Sequence, residues 1–326
     1  VLTFIKAYIK SMRLYYAFVT GISGWIGMAF YEYIAKSPYQ TIEMVPSTEK
    51  KAVILVMLFL SWGINQIIND YLGLKEDSIN APQRPMVTGE LDPPKALALS
   101  GLLLIMTLLI TYFYLEPIAL ISAILGIVLN FLYQYAKGHG IFGNIVFGLM
   151  ISMCTAFGFL AAGPTESPYF TSSRVSVLIL VAVMNGLMTF YTYFKDYAGD
   201  KAADKRTIIV QLGIDKSRYI AAISAFLPAV IFSLLYFNNF IEARVNNMFL
   251  ILAGLTFFLE LWTGYLYYKN PKGRRTYYSL AANFRACTCG QATLIALFNT
   301  ELAMLLFLVS YMFVGFLFDL HTNPKS

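Results

Sequence analysis

The chain has 326 residues, of which 58% are apolar and only 13% charged. Soluble domains carry roughly 25% charged residues, so this composition excludes a soluble globular protein, and its continuous, non-alternating apolar runs exclude a β-barrel. The net charge of +6 is dispersed over short loops, which points to membrane topology signals and not to a nucleic-acid partner.

Residues 1–13 carry Lys6, Lys10 and Arg13 among apolar side chains and predict an interfacial lead-in helix. Apolar runs long enough to cross a bilayer follow at about 14–34, 51–72, 96–113, 117–135, 141–162, 174–195, 217–237, 246–268, 277–298 and 302–319. The predicted fold class is all-α: a polytopic bundle of nine or ten transmembrane helices in a single domain. The count turns on the ninth run, which contains Asn283, Arg285, Gln291 and two cysteines. It is either a span with a buried polar face or a segment packed at the rim. Cys154, Cys287 and Cys289 show no zinc spacing and read as packing residues.

A coarse repeat divides the chain into four-helix halves at about 14–135 and 141–268, with the runs over 277–319 as additions. In each half an acidic stretch ends the second span, and a long basic loop follows. Two such halves would enclose a central cavity, as repeats do in transporters. Lysine and arginine concentrate in alternate loops, which puts the N-terminus and both acidic stretches on the cytoplasmic side.

The first acidic stretch runs Asn65-Gln66-Ile67-Ile68-Asn69-Asp70-Tyr71-Leu72-Gly73-Leu74-Lys75-Glu76-Asp77. On one helix, Asn65, Gln66, Asn69, Asp70, Glu76 and Asp77 share a face, with Gly73 in its middle. Lipid does not tolerate such a stripe, so it must line a protein interior or a wet cavity. The second stretch carries Asp196, Asp200 and Asp204 at four-residue spacing, and its face continues into the span through Tyr193, Thr189 and Asn185. Carboxylates and amide oxygens in this arrangement suit magnesium, which binds through one or two carboxylates plus substrate phosphate. A solvated helix end is the plainer alternative for any single acid, but not for two matched sets. Arg84, held between Pro82 and Pro85, offers a guanidinium fork for phosphate oxygens. Lys137 reads equally as a phosphate contact or a topology charge, and His139 as a solvated loop residue.

Asn69-Asp70-x-x-Gly73-x-x-x-Asp77, followed by Asn80-x-Pro82-x-Arg84-Pro85, resembles the first signature of the UbiA superfamily of intramembrane prenyltransferases, usually Asn-Asp-x-x-Asp-x-x-x-Asp. Asp196-x-x-x-Asp200 resembles the second signature, and Tyr135 to Asn144 is similar to the family's fourth-to-fifth loop. The resemblance implies a nine-helix fold open laterally to the bilayer, a polyprenyl diphosphate donor, two magnesium ions bridging the diphosphate, and a lipophilic acceptor. It assigns Asp70, Asp77, Asp196 and Asp200 to catalysis, and these with Asn69 to metal. Glu76 and Asp204 are further metal candidates, and Asn65, Asn69, Arg84, Lys137, Lys201 and Arg206 are candidates for the diphosphate. Gly73 departs from the family, which has an acid there; Glu76 on the same face would compensate, or Gly73 makes room for a substrate. A membrane-bound terpene cyclase of the same superfamily, a secondary transporter and a scaffold protein are the competing readings.

Overall fold

The computed structural model describes residues 2–36, 44–273 and 275–321. The lead-in residues form α1 (Leu2–Met12). Arg13 ends it in a left-handed backbone conformation, φ 46°, and the chain turns through one 3-10 turn into α2 (Phe18–Ala35). α3 (Thr48–Leu72) is capped by the Ser47 hydroxyl, which accepts the Lys50 N–H. At Gly73 the helix breaks, and α4 (Leu74–Asn80) and α5 (Pro85–Thr88) follow. The first acidic stretch therefore occupies two helices, not one continuous face, because glycine is a poor helix former.

Beyond it come α6 (Pro93–Phe113), α7 (Leu120–Ala136), α8 (Phe142–Leu160) and the long α9 (Ser172–Ala202). A short α10 (Ile208–Leu212) leads into α11 (Ile214–Ser224) and α12 (Leu227–Phe237). The predicted run at 217–237 thus divides in two, with Pro228 at the start of α12, where a missing N–H costs nothing. α13 (Asn247–Lys269), α14 (Thr276–Ile295) and α15 (Thr300–His321) complete the bundle. A parallel pair of two-residue strands, β1 (His139–Gly140) and β2 (Arg206–Thr207), ties the loop after α7 to the loop after α9.

Among the described residues, eight helical segments are long and apolar enough to cross a membrane. α2 and α14 correspond to the other two predicted runs, and both are packed inside the protein. α14 lies against α9, α13, α15 and α2, so its polar side chains are turned inward and it is not a rim segment. Asn283 Nδ2 donates to the Met188 carbonyl at 2.8 Å, and Gln291 Nε2 donates to Asn185 Oδ1 at 3.2 Å. Asn185, read as part of the cavity stripe, is spent on this packing. Cys287 and Cys289 are buried here as packing residues.

α2 and α8 approach backbone to backbone. A Cβ on Gly27 would lie 2.0 Å from the Thr155 carbonyl oxygen, and one on Gly158 would lie 2.1 Å from that of Gly24. Small residues let two membrane helices touch backbone to backbone. Gly158→Val is therefore expected to cost about 1–3 kcal/mol through overpacking, read as a lower unfolding midpoint in detergent. Gly101→Ala on the outward α6, where a Cβ meets nothing within 4 Å, should leave that midpoint unchanged or slightly raised.

Candidate active site

The two acidic stretches meet through Asn80, the last residue of α4. Its Oδ1 accepts the Gly199 N–H at 2.9 Å, and its Nδ2 donates to the Asp196 carbonyl at 3.3 Å. Gly199 is required at this contact: a Cβ there would lie 2.3 Å from the Asn80 side chain. The clasp sets α4 against the cytoplasm-predicted end of α9 and brings the carboxylates to one cavity.

Each carboxylate is met by a cation. Arg13 and Arg84 both donate to Asp70, Arg84 at 3.2 Å, and Arg84 also reaches Asp77. Glu76 pairs with Lys205, whose ammonium also donates to Gln134 Oε1 at 3.3 Å. Gln134 in turn donates to Asn69 Oδ1 at 3.1 Å. On the α9 side, Lys195 holds Asp196 at 2.6 Å and Lys137 holds Asp200 at 2.8 Å. Asp200 is fully buried, and its Oδ2 has no hydrogen-bond partner.

These surroundings set the charge states. Burial alone would raise the Glu76 carboxyl, but Lys205 holds it below the usual carboxylate range. Burial pushes Asp77 above its ordinary value; Arg84 offsets part of that and Asp70 adds to it. Burial alone would lower Arg84 and Lys137, yet both are raised, Arg84 by Asp70, Asp77 and Asp196, and Lys137 by Asp200 and Asp196. Both cations stay charged at any working pH.

The cavity measures about 800 Å3. Its polar end is lined by Asn69, Asp70, Glu76, Asp77, Arg84, Lys137, Asp196 and Lys205. Its other end is apolar, with Tyr16, Trp62, Phe147, Met188, Leu280 and Phe284. Tyr16 stacks on Phe284 at 4.7 Å and meets Trp62 edge-on at 6.0 Å, forming an aromatic wall.

Of the residues singled out from the sequence, Asn69, Asp70, Glu76, Asp77, Arg84, Lys137 and Asp196 line this cavity, and Asp200 stands behind Lys137. Asn65 does not join them. It lies one turn further into α3, faces a separate apolar groove and donates to Met150 Sδ at 3.7 Å, while its neighbour Gln66 lines the cavity. Lys201, Asp204 and Arg206 are exposed and lie off the cavity. α9 ends at Ala202 and Asp204 is left-handed, φ 56°, so the four-residue periodicity that grouped Asp204 with Asp196 stops before reaching it. Arg206 is taken up by β2. The sequence reading missed Arg13, Asn80, Gln134 and Lys205 as parts of the site. Asn80 stood inside the recognised motif, but Arg13 carried no local signal beyond that of an interfacial charge.

A cavity lined by paired charges and by aromatic rings, set among apolar helices, defines a membrane enzyme for an amphiphile with an anionic head. The sequence profile of the UbiA prenyltransferase family matches residues 42–286, and the chain belongs to that family. It is an intramembrane prenyltransferase. Digeranylgeranylglyceryl phosphate synthases of Methanosarcina mazei and Sulfurisphaera tokodaii are each 27% identical to it. The matches cover 74% and 72% of this chain and 82% and 80% of those relatives. Among solved structures, a UbiA homolog from Aeropyrum pernix K1 superposes with a TM-score of 0.69 at 13% identity, over 87% of this chain and 98% of that one. One from Archaeoglobus fulgidus bound to DMAPP and Mg2+ gives 0.64 at 13% identity, over 97% and 99%.

The clasp yields a test. Asn80→Ala removes both bonds to the α9 backbone, and Gly199→Ala pushes Asn80 away, so each should lower kcat/KM by about tenfold or more, at about 1 kcal/mol for each hydrogen bond lost. Because both act on one contact, the double variant should be little worse than either single one. Additive losses would assign the two residues independent roles.

Proposed function

We propose that this chain transfers a geranylgeranyl-class prenyl group from its diphosphate to the hydroxyl of a phosphorylated glycerolipid acceptor, with magnesium at the acidic cluster. One observation carries the reading: a single cavity joins a polar end of paired carboxylates and cations to an aromatic end suited to an isoprenoid chain. The names of the relatives from M. mazei and S. tokodaii support the donor and acceptor classes. Charge supports it too: among the lining residues Lys10, Arg13, Arg84, Lys137, Lys195 and Lys205 outnumber Asp70, Glu76, Asp77 and Asp196, so the cavity attracts anions.

The residues fit magnesium. Among the described residues no three His, Cys, Asp or Glu side chains form a group that holds a metal unaided. That suits an ion that keeps its waters and completes its shell with substrate phosphate. The unpartnered Asp200 Oδ2 is an acceptor such an ion or its water would satisfy. Asp70, Asp77, Asp196 and Asp200, with the Asn69 amide oxygen, are the proposed ligands. When bound, the metal supplies positive charge against the departing diphosphate.

The remaining work falls to side chains of this chain. Arg84 and Lys137 bind phosphate oxygens and stabilise the charge that grows on them as the allylic C–O bond breaks and its electron pair leaves with the diphosphate. Tyr16, Trp62 and Phe284 hold the chain, keep water from the allylic carbon and present aromatic faces to its positive charge. The acceptor hydroxyl oxygen then bonds to that carbon and releases its proton. Both acidic stretches are proposed to face the cytoplasm, a reading supported by the lysines and arginines of the loops on that side.

Mass analysis of products from purified enzyme, magnesium and prenyl diphosphates, with and without glycerolipid phosphates, tests this reading. The expected product is the prenylated glycerolipid phosphate, formed only when acceptor is present. A cyclic hydrocarbon or alcohol from the diphosphate alone would replace the reading with a terpene cyclase. Asp77→Asn and Asp196→Asn should each lower the rate at least about 100-fold, since each removes charge stabilisation of the transition state.

Topology is tested separately. Cysteines placed at the exposed Glu90 and Lys216 should be shielded from an impermeant thiol reagent added outside intact cells and labelled after permeabilisation. Labelling of both from outside would reverse the orientation.

A further inference from the structure

We infer that the Lys205 ammonium takes the place of one of the two divalent cations that the paired signatures imply, so that this chain grips the diphosphate with one metal ion and a lysine. The inference rests on the prenyl-diphosphate reading above.

Position 73 is where the site has changed. A Cβ built on Gly73 would lie 3.0 Å from the Asn69 carbonyl oxygen, with two carboxylates beside it, Asp77 Oδ2 at 3.9 Å and Glu76 Oε2 at 4.0 Å. An acid there would stand in a triad with Glu76 and Asp77. Glycine removes the third carboxylate, and the two that are left are already matched: Asp77 by Arg84 and Glu76 by Lys205.

Lys205 is built into this position. It arrives from the opposite acidic stretch, just beyond α9, and its side chain is only 20% exposed. Glu76 and Gln134 both hold its ammonium, and Gln134 is itself fixed by Asn69. The lysine thus lines the cavity between the two stretches, where a bridging cation is needed.

The charges agree. An acid at position 73 with a divalent cation adds a net single positive charge; glycine with a lysine adds the same. The exchange keeps the field on the diphosphate while replacing a dissociable ion with a tethered one. Of the ligands proposed above, Asp70 and Asp77 are engaged by Arg84 and Asn69 by Gln134, so the ion that stays falls to Asp196 and Asp200, with the unpartnered Asp200 Oδ2. Glu76 in this scheme positions Lys205 and is not a metal ligand.

Counting bound metal decides it. The full chain in detergent is titrated with Mn2+ in the presence of unreactive geranylgeranyl thiolodiphosphate, and bound Mn2+ is read by electron paramagnetic resonance. One Mn2+ per chain is expected, against two for the Gly73→Asp/Lys205→Met double variant. Lys205→Met alone should weaken binding of the analogue by about 10- to 100-fold, the value of a hydrogen bond to a charged group. Two Mn2+ in the unmodified chain, or unchanged analogue binding by Lys205→Met, would overturn the inference. The count on the unmodified chain stands even if a variant misfolds. Failure of the unmodified chain to bind the analogue at all would instead remove the prenyl-diphosphate reading, and the inference with it.

Discussion

Asn80 joins two helices that otherwise have reason to stay apart. The ends of α3–α4 and of α9 both carry buried carboxylates, and like charges in a low-dielectric setting repel. The two bonds Asn80 makes to α9 backbone hold the ends together, and the absent side chain at Gly199 lets them come close enough. The cations follow from that closeness. A buried carboxylate without a partner is strongly unfavourable, so Arg13, Arg84, Lys137, Lys195 and Lys205 converge on the same small volume.

That convergence also prepares the site for its ligand. Arg84 is shared by Asp70 and Asp77, and a guanidinium has donors to spare for phosphate oxygens. On the function proposed above, a diphosphate would meet cations already held in position by carboxylates, leaving little reorganisation for the chemical step. Arg13 is itself the left-handed residue after α1 and Tyr16 follows in the 3-10 turn, so one backbone kink delivers both a charge and a ring to the cavity.

Membrane burial explains the distribution of polarity elsewhere. α6, α7 and α12 show apolar side chains outward, where lipid accepts them. α14 has the opposite character, with amides, hydroxyls and thiols, and it is packed among other helices, where Asn283 bonds the Met188 carbonyl and Gln291 bonds Asn185. Position 73 belongs to the same logic at the site. Gly73 brings no carboxylate of its own beside Glu76 and Asp77, and Glu76 is met by a lysine from the second stretch, a pairing that only a site assembled from both stretches can make.

The sequence by itself determined the class, the helical character of the apolar runs and the two acidic stretches, which the structure brings to one cavity, because continuous apolarity and intramembrane charge are properties of local composition. It also indicated Asp70, Asp77, Arg84 and Asp196 through spacing and motif. It could not decide which residues leave the site. Helix ends ruled there: the break at Gly73, the end of α9 at Ala202 and the left-handed turn at Asp204 reset which faces align, and removed Asp204, Lys201 and Arg206 from the cavity. Nor did it reveal Arg13, Asn80, Gln134 and Lys205 as members, since each reaches the site through a partner distant in the chain. Contacts between residues far apart in sequence exist only once the helices are packed, and that packing decided the site.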